Sequence, residues 1–106
     1  MSEPIQQLKA EFFKALAHPA RIRILELLSQ GELSVSELAP EVGLASSHLS
    51  QQLGVLRRAN LVVTRKSGNL VYYRLADPRM TKLLDLTKQM LLAYLTETAD
   101  RLSDIK

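Results

Sequence analysis

Apolar residues recur at helical spacing from the start of the chain. Ile5, Leu8, Phe12, Phe13 and Leu16 mark one face of a first helix that Pro4 opens and His18-Pro19 closes after about Ala17. Pro19 can open the next helix, in which Ile22, Ile24, Leu25, Leu27 and Leu28 cover more than one face, as in a helix buried centrally, and Gly31 stops it. Ser34, with Glu37 three residues on, reads as a capping box and predicts a short third helix from Val35 to about Val42, with Leu38 and Val42 inward. Pro40 removes the amide that would bond the Ser36 carbonyl, so this helix is expected to be kinked or tight. Gly43 supplies a turn. A fourth helix begins at Ala45 to Ser47 and runs to about Ala59, with Leu49, Leu53 and Leu56 on its inner face. Two short helices about a Gly-centred turn make a helix-turn-helix over residues 34–59.

From Leu61 the period changes. The runs Leu61 to Lys66 and Leu70 to Leu75 are β-branched and aromatic, and they flank Ser67-Gly68-Asn69, which predicts a hairpin with a basic tip over 61–75. Tyr72 and Tyr73 fall on opposite faces, one toward the core and one toward the surface. Asp77-Pro78 then caps a last helix in which Met80, Leu84, Leu91, Leu95, Leu102 and Ile105 keep a nearly heptad rhythm, widened by Leu83, Leu86, Leu92 and Tyr94. A helix of about 25 residues is long for so small a domain, and half of its apolar surface is expected to lack an intramolecular partner. The expected fold is mainly α with a β-hairpin, in the order α-α-α-α-β-β-α. The first and last helices, 1–17 and 77–105, are left to pair two copies through Ile5, Leu8, Phe12, Leu84, Leu91, Leu95 and Leu102.

With 106 residues, 46% apolar and 24% charged, the chain fits one small domain spanning 1–106: too short for two cores and too apolar to stay disordered. It contains no cysteine, which excludes disulfides, thiolate metal sites and thiol chemistry. No unbroken apolar run marks the first 25 residues and none elsewhere approaches a membrane span, so a soluble, cytoplasmic protein without a membrane partner is expected. The net charge of +3 is unevenly placed. Acidic and basic residues cancel in 1–33 and again in 76–106, whereas 34–75 sets Arg57, Arg58, Arg65, Lys66 and Arg74 against only Glu37 and Glu41. A basic middle between neutral flanks suits a polyanion-binding centre with pairing elements on either side.

A helix-turn-helix followed at once by a basic hairpin is a winged helix. The stretches Leu16 to Leu25, Val42 to Leu53, Val55 to Val62 and Arg65 to Leu75 together resemble the ArsR family of bacterial dimeric repressors over nearly the whole chain. The resemblance makes the helix from Ser46 to Ala59 the one that enters the major groove, and it carries the family's phosphate- and base-contacting positions onto Ser46, Ser47, Ser50 and Gln51. Their chemistry agrees, since glutamine pairs bidentately with adenine and serine hydroxyls serve bases or phosphates. Ser47 and Gln51 are the candidates for base reading. Ser46 and Ser50 suit phosphates, and Ser46 equally suits the helix cap. His48 completes the reading head as a groove-edge hydrogen bonder or a plain surface histidine. A catalytic Ser47-His48 pair is set aside, because adjacent helical residues face different ways and no carboxylate is spaced to orient the ring. On the wing, Arg65 and Lys66 are expected at the minor groove or its phosphates, with Asn69 where relatives often carry a second arginine. Arg57 and Arg58 suit flanking phosphates or simple solvation, and His18 a structural role at its helix boundary.

The resemblance also exposes a departure. The thiolate pair that some relatives carry on the third helix falls on Ser34 and Ser36, poor ligands for soft metals, and no histidine follows His48 for the family's other site. Asp85, Glu97, Asp100 and Asp104 would hold a hard cation only weakly. Neither a transition-metal site nor a cofactor is expected. An unidentified small-molecule effector keeps a place, with Phe12, Phe13, Met90 and Tyr94 as a conceivable apolar pocket that core packing explains equally well. The expected function is a homodimeric, sequence-specific repressor on an inverted-repeat operator in double-stranded DNA. A winged-helix adaptor that binds protein is the alternative, and no constellation for enzyme catalysis is present.

Overall fold

The helix boundaries follow the local signals closely. The computed structural model describes residues 4–104, in which α1 spans Pro4–Leu16, α2 Pro19–Leu28, β1 Leu33–Ser34, α3 Val35–Val42, α4 Ser46–Arg58, β2 Val62–Ser67, β3 Leu70–Leu75 and α5 Arg79–Asp104. Ile105, expected at the end of the last apolar stripe, lies outside the described residues. His18 caps α2, its Nδ1 accepting the Ala20 amide at 3.0 Å. Ser34 and Glu37 form the reciprocal capping box of α3, and Gly43, at φ 74°, ends it in the left-handed conformation that glycine tolerates best. Pro40 sits inside α3 without interrupting it.

The C-terminus of α4 carries a stop that the sequence reading passed over. Asn60 lies at φ 61°, its amide donating to the Arg57 carbonyl at 3.0 Å while the Leu61 amide donates to Leu56 at 3.0 Å, the paired bonds of a Schellman motif. The chain thereby turns directly from α4 into the wing.

The element missed from sequence is β1. Two residues give no readable periodicity, yet Leu33 and Ser34 pair antiparallel with Tyr73 and Tyr72, making a three-stranded sheet in the order β1-β3-β2. The hairpin is in register from Val62↔Leu75 to Ser67↔Leu70 around Gly68 and Asn69, with Gly68 at φ 60°. Tyr73 packs on the core, while Tyr72 lies under the Arg65 guanidinium on the opposite face.

The core is the common ground of α2, α3, α4 and the sheet. Ile24 and Leu25 of α2, Leu38 of α3, and Leu49 and Leu56 of α4 are fully buried, with Leu53 nearly so. Burial of such side chains is worth roughly 1.5–3 kcal/mol each, so this cluster dominates the stability of the domain. The buried residues of the two outer helices are confined to one end of each. In α1 only Ala15 and Leu16 are buried, and in α5 only Met80, with Leu83 and Leu84 partly buried against the core. Beyond them α5 continues apolar and uncovered, and the molecule extends 61 Å along its longest axis. Among the described residues no helix is long and apolar enough to cross a membrane.

Candidate nucleic-acid interface

The fold separates the two faces of α4 cleanly. Leu49, Leu53 and Leu56 fix it to the core, and Ser46, Ser47, His48, Ser50 and Gln51 are all exposed at its N-terminal end. Ser46 is not the helix cap. Ala45 occupies that position and offers no side-chain bond, so Ser46 is the first helical residue with its hydroxyl uncommitted to capping, and the amides of the first turn carry no side-chain cap. An uncapped helix start is an attractive seat for a phosphate oxygen.

The wing stands beside this head. Ser46 and Asn69 line one cleft of about 410 Å³ together with Ser36, Leu49 and Leu70, so the helix start and the wing tip are brought together. Lys66 is exposed and has no ion pair among the described residues. Arg57 and Arg58 are exposed at the far end of α4, where Arg58 folds back over Gly54. Arg65 differs from these cations: its guanidinium is engaged by Glu32, with Nη2 2.6 Å from Oε1.

Gln52, beside Gln51, was not singled out from sequence. Half-buried, it accepts a hydrogen bond from Arg21 at 2.8 Å, and a partner 31 residues away leaves no local signal.

Ser34 and Ser36, onto which the resemblance carries the thiolate pair of some relatives, lie side by side. Ser34 Oγ accepts the Glu37 amide at 3.2 Å and lies 3.0 Å from Ser36 Oγ. Two neutral hydroxyls, one committed to a helix cap, do not fit a soft metal ion. Among the described residues no group of three or more histidine, aspartate or glutamate side chains is close enough to hold a metal.

The apolar pocket is displaced from its expected place. A cavity of about 510 Å³ lies where α1, the end of α4, the wing base and the start of α5 meet, lined by Phe12, Leu61, Met80 and Leu83 together with Asp77 and Arg79. Phe12 takes part, but Phe13, Met90 and Tyr94 do not line it and stand exposed, because α5 has left the body by Met90.

Residues 18–64 match the model of the bacterial regulatory proteins of the arsR family. Over 106 residues the chain is 53% identical to the HTH-type transcriptional regulator Rv0081 of Mycobacterium tuberculosis, covering 99% of this chain and 93% of that one. The chain belongs to the ArsR family. The crystal structure of Rv0081 superposes with a TM-score of 0.85 at 55% identity, covering 92% of this chain and 99% of that one. The solution structure of the homodimeric winged helix-turn-helix DNA-binding domain Mb0332 from Mycobacterium bovis matches with a TM-score of 0.78 at 32% identity, covering 88% and 86%. A biofilm growth-associated repressor of Agrobacterium fabrum is 45% identical over 76 residues, 72% of this chain and 65% of that one. The fold is thus the winged helix-turn-helix of ArsR regulators, and the protein is a transcriptional regulator, not an enzyme.

Proposed function

We propose that this ArsR protein is a homodimeric repressor that reads an inverted-repeat operator and blocks transcription by occluding the promoter. The observation that carries the reading is the α4 surface: five exposed polar residues at the start of a helix whose opposite face is buried, beside a basic wing. In this reading Gln51 and Ser47 read base edges, Ser46 and Ser50 hold phosphates, His48 meets the groove edge, and Arg57, Arg58, Lys66 and Asn69 meet the flanking backbone. Two copies join through α1 and α5, using Ile5, Leu8, Phe12, Leu84, Leu91, Leu95 and Leu102, which sets the two reading helices about one helical turn of DNA apart. Mb0332 and the Agrobacterium repressor support the dimeric and repressing parts of this reading.

No transition metal acts as its signal, because the hydroxyl pair at Ser34 and Ser36 supplies the wrong donors. A small apolar effector has a place in the cavity between Phe12 and Met80, which touches both the wing base and the pairing helices.

The test is the affinity of chelator-treated protein for the duplex upstream of its own gene and for a scrambled duplex, across a salt series. Selective binding that weakens steeply with salt, unchanged by Zn²⁺, is expected. Gln51→Ala should then lose discrimination at one base pair by roughly 1–3 kcal/mol. Equal binding to both duplexes, or none, would favour a protein-binding adaptor.

A further inference from the structure

Arg65 does not project from the wing as a free cation. Its strand position is opposite Tyr72, which is in turn opposite Ser34, so the residues lie in one row across β2, β3 and β1. The guanidinium carbon sits 4.6 Å from the Tyr72 ring centroid. Beyond the ring it reaches Glu32, two residues before Ser34, with Nε 3.2 Å from both carboxylate oxygens and Nη2 2.6 Å from Oε1. One side chain thus crosses the whole width of the sheet and ties the wing to the segment that leads into α3.

We propose that Arg65 is a positioning residue: a strap, anchored on Glu32 and seated on Tyr72, that fixes the angle of the wing against the helix-turn-helix, while Lys66 supplies the charge that the wing offers to phosphate. The planar guanidinium matches a carboxylate bidentately, and its stacking on tyrosine adds a second attachment. For Arg65 to reach a phosphate it would abandon both, leaving the Glu32 carboxylate without its hydrogen-bonded partner beside a polyanion. The Glu32 carboxyl is itself held below its ordinary range, chiefly by the hydrogen bonds from Arg65, with Arg74 adding to the field.

The DNA arm of the test rests on the proposed operator-binding function; a second arm does not. The probe is a duplex selected by the full chain from a random pool, and binding of the unsubstituted chain, Arg65→Ala, Glu32→Gln and Lys66→Ala is followed against salt. The strap predicts that Arg65→Ala and Glu32→Gln each weaken binding by roughly two- to fivefold, the scale of a part-exposed pair, with the salt slope preserved. Lys66→Ala should flatten the slope by about 1.8, two phosphates per dimer. In the second arm, without DNA, both strap variants should speed amide exchange in β2 and β3. A slope flattened by about 1.8 in Arg65→Ala, together with tighter binding by Glu32→Gln, would overturn the proposal in favour of a direct phosphate contact. If the chain selects no duplex, the DNA-binding reading fails, and unaltered exchange in Glu32→Gln would overturn the strap independently.

Discussion

Arg21 joins three helices through one guanidinium: it donates to the Gln52 side-chain oxygen on α4 at 2.8 Å and to the Ala15 carbonyl at the end of α1 at 2.7 Å. The buried residues of α1 lie at its C-terminal end, where Phe12 also packs on the core, and this clamp adds a polar tie there between a proposed pairing helix and the proposed reading helix. Arg21→Ala should cost about 1.5–3 kcal/mol, the range for hydrogen bonds to a charged group, and Gln52→Ala about 1 kcal/mol. The double variant should lose less than the sum, because the two residues share a bond. Chemical denaturation of the four proteins measures the coupling, and Arg21→Lys should not restore it, having no planar fork.

The uncovered stripe of α5 makes a second prediction. Leu91, Leu95 and Leu102 are 57%, 58% and 63% exposed, so an aspartate at Leu91 meets solvent in the isolated chain and an apolar partner in the proposed dimer. Leu91→Asp should leave monomer stability within about 0.5 kcal/mol, halve the mass seen by light scattering, and weaken operator binding roughly 100-fold or more as one half-site is lost.

Asp77 sets a pH dependence at the start of α5. Side-chain and backbone hydrogen bonds from Arg79 hold its carboxyl at about 2, below the usual 3.8. A depressed carboxylate pKa stabilises the folded state above the unfolded value, and that contribution is lost as pH falls from about 3.8 toward about 2. Thermal melts of Asp77→Asn should therefore show a smaller fall in Tm across that window than the unsubstituted chain. The Arg79 side chain is 85% exposed and that of Asp77 50%, so the difference will be small and will shrink further in salt.

Asn60 is the described non-glycine residue with positive φ, and it makes the turn from α4 into the wing. Asn60→Gly relieves the left-handed strain and should be neutral or stabilising by about 0.5 kcal/mol, whereas Asn60→Val should cost about 1–2 kcal/mol. Denaturation midpoints distinguish them, and the valine variant should also loosen the Ala76 to Leu61 bond at the wing base, seen as faster amide exchange at Ala76.

The helices, the two caps of α3 and the helix-turn-helix were legible because their causes are local. Pro4 and Pro19 open helices, the Ser34 and Glu37 box starts α3, Gly43 ends it, and apolar spacing marks the buried faces of α2 and α4. The exposure of the residues proposed to read DNA was legible for the same reason, since burying Leu49, Leu53 and Leu56 forces Ser47 and Gln51 outward. What sequence could not decide depends on residues far apart in the chain. The strand Leu33–Ser34 exists only because β3 offers it an open edge, and Gln52 is claimed by Arg21 only when α2 and α4 pack. Charge shows the difference most plainly. Counted by segment, Arg65 belongs to the basic middle and Glu32 to a neutral flank, but the sheet brings them to 2.6 Å and removes Arg65 from the free positive surface. Local pattern determined which residues are helical and which faces are buried; only tertiary packing decided which charges remain free, because Coulomb attraction follows distance in space rather than along the chain.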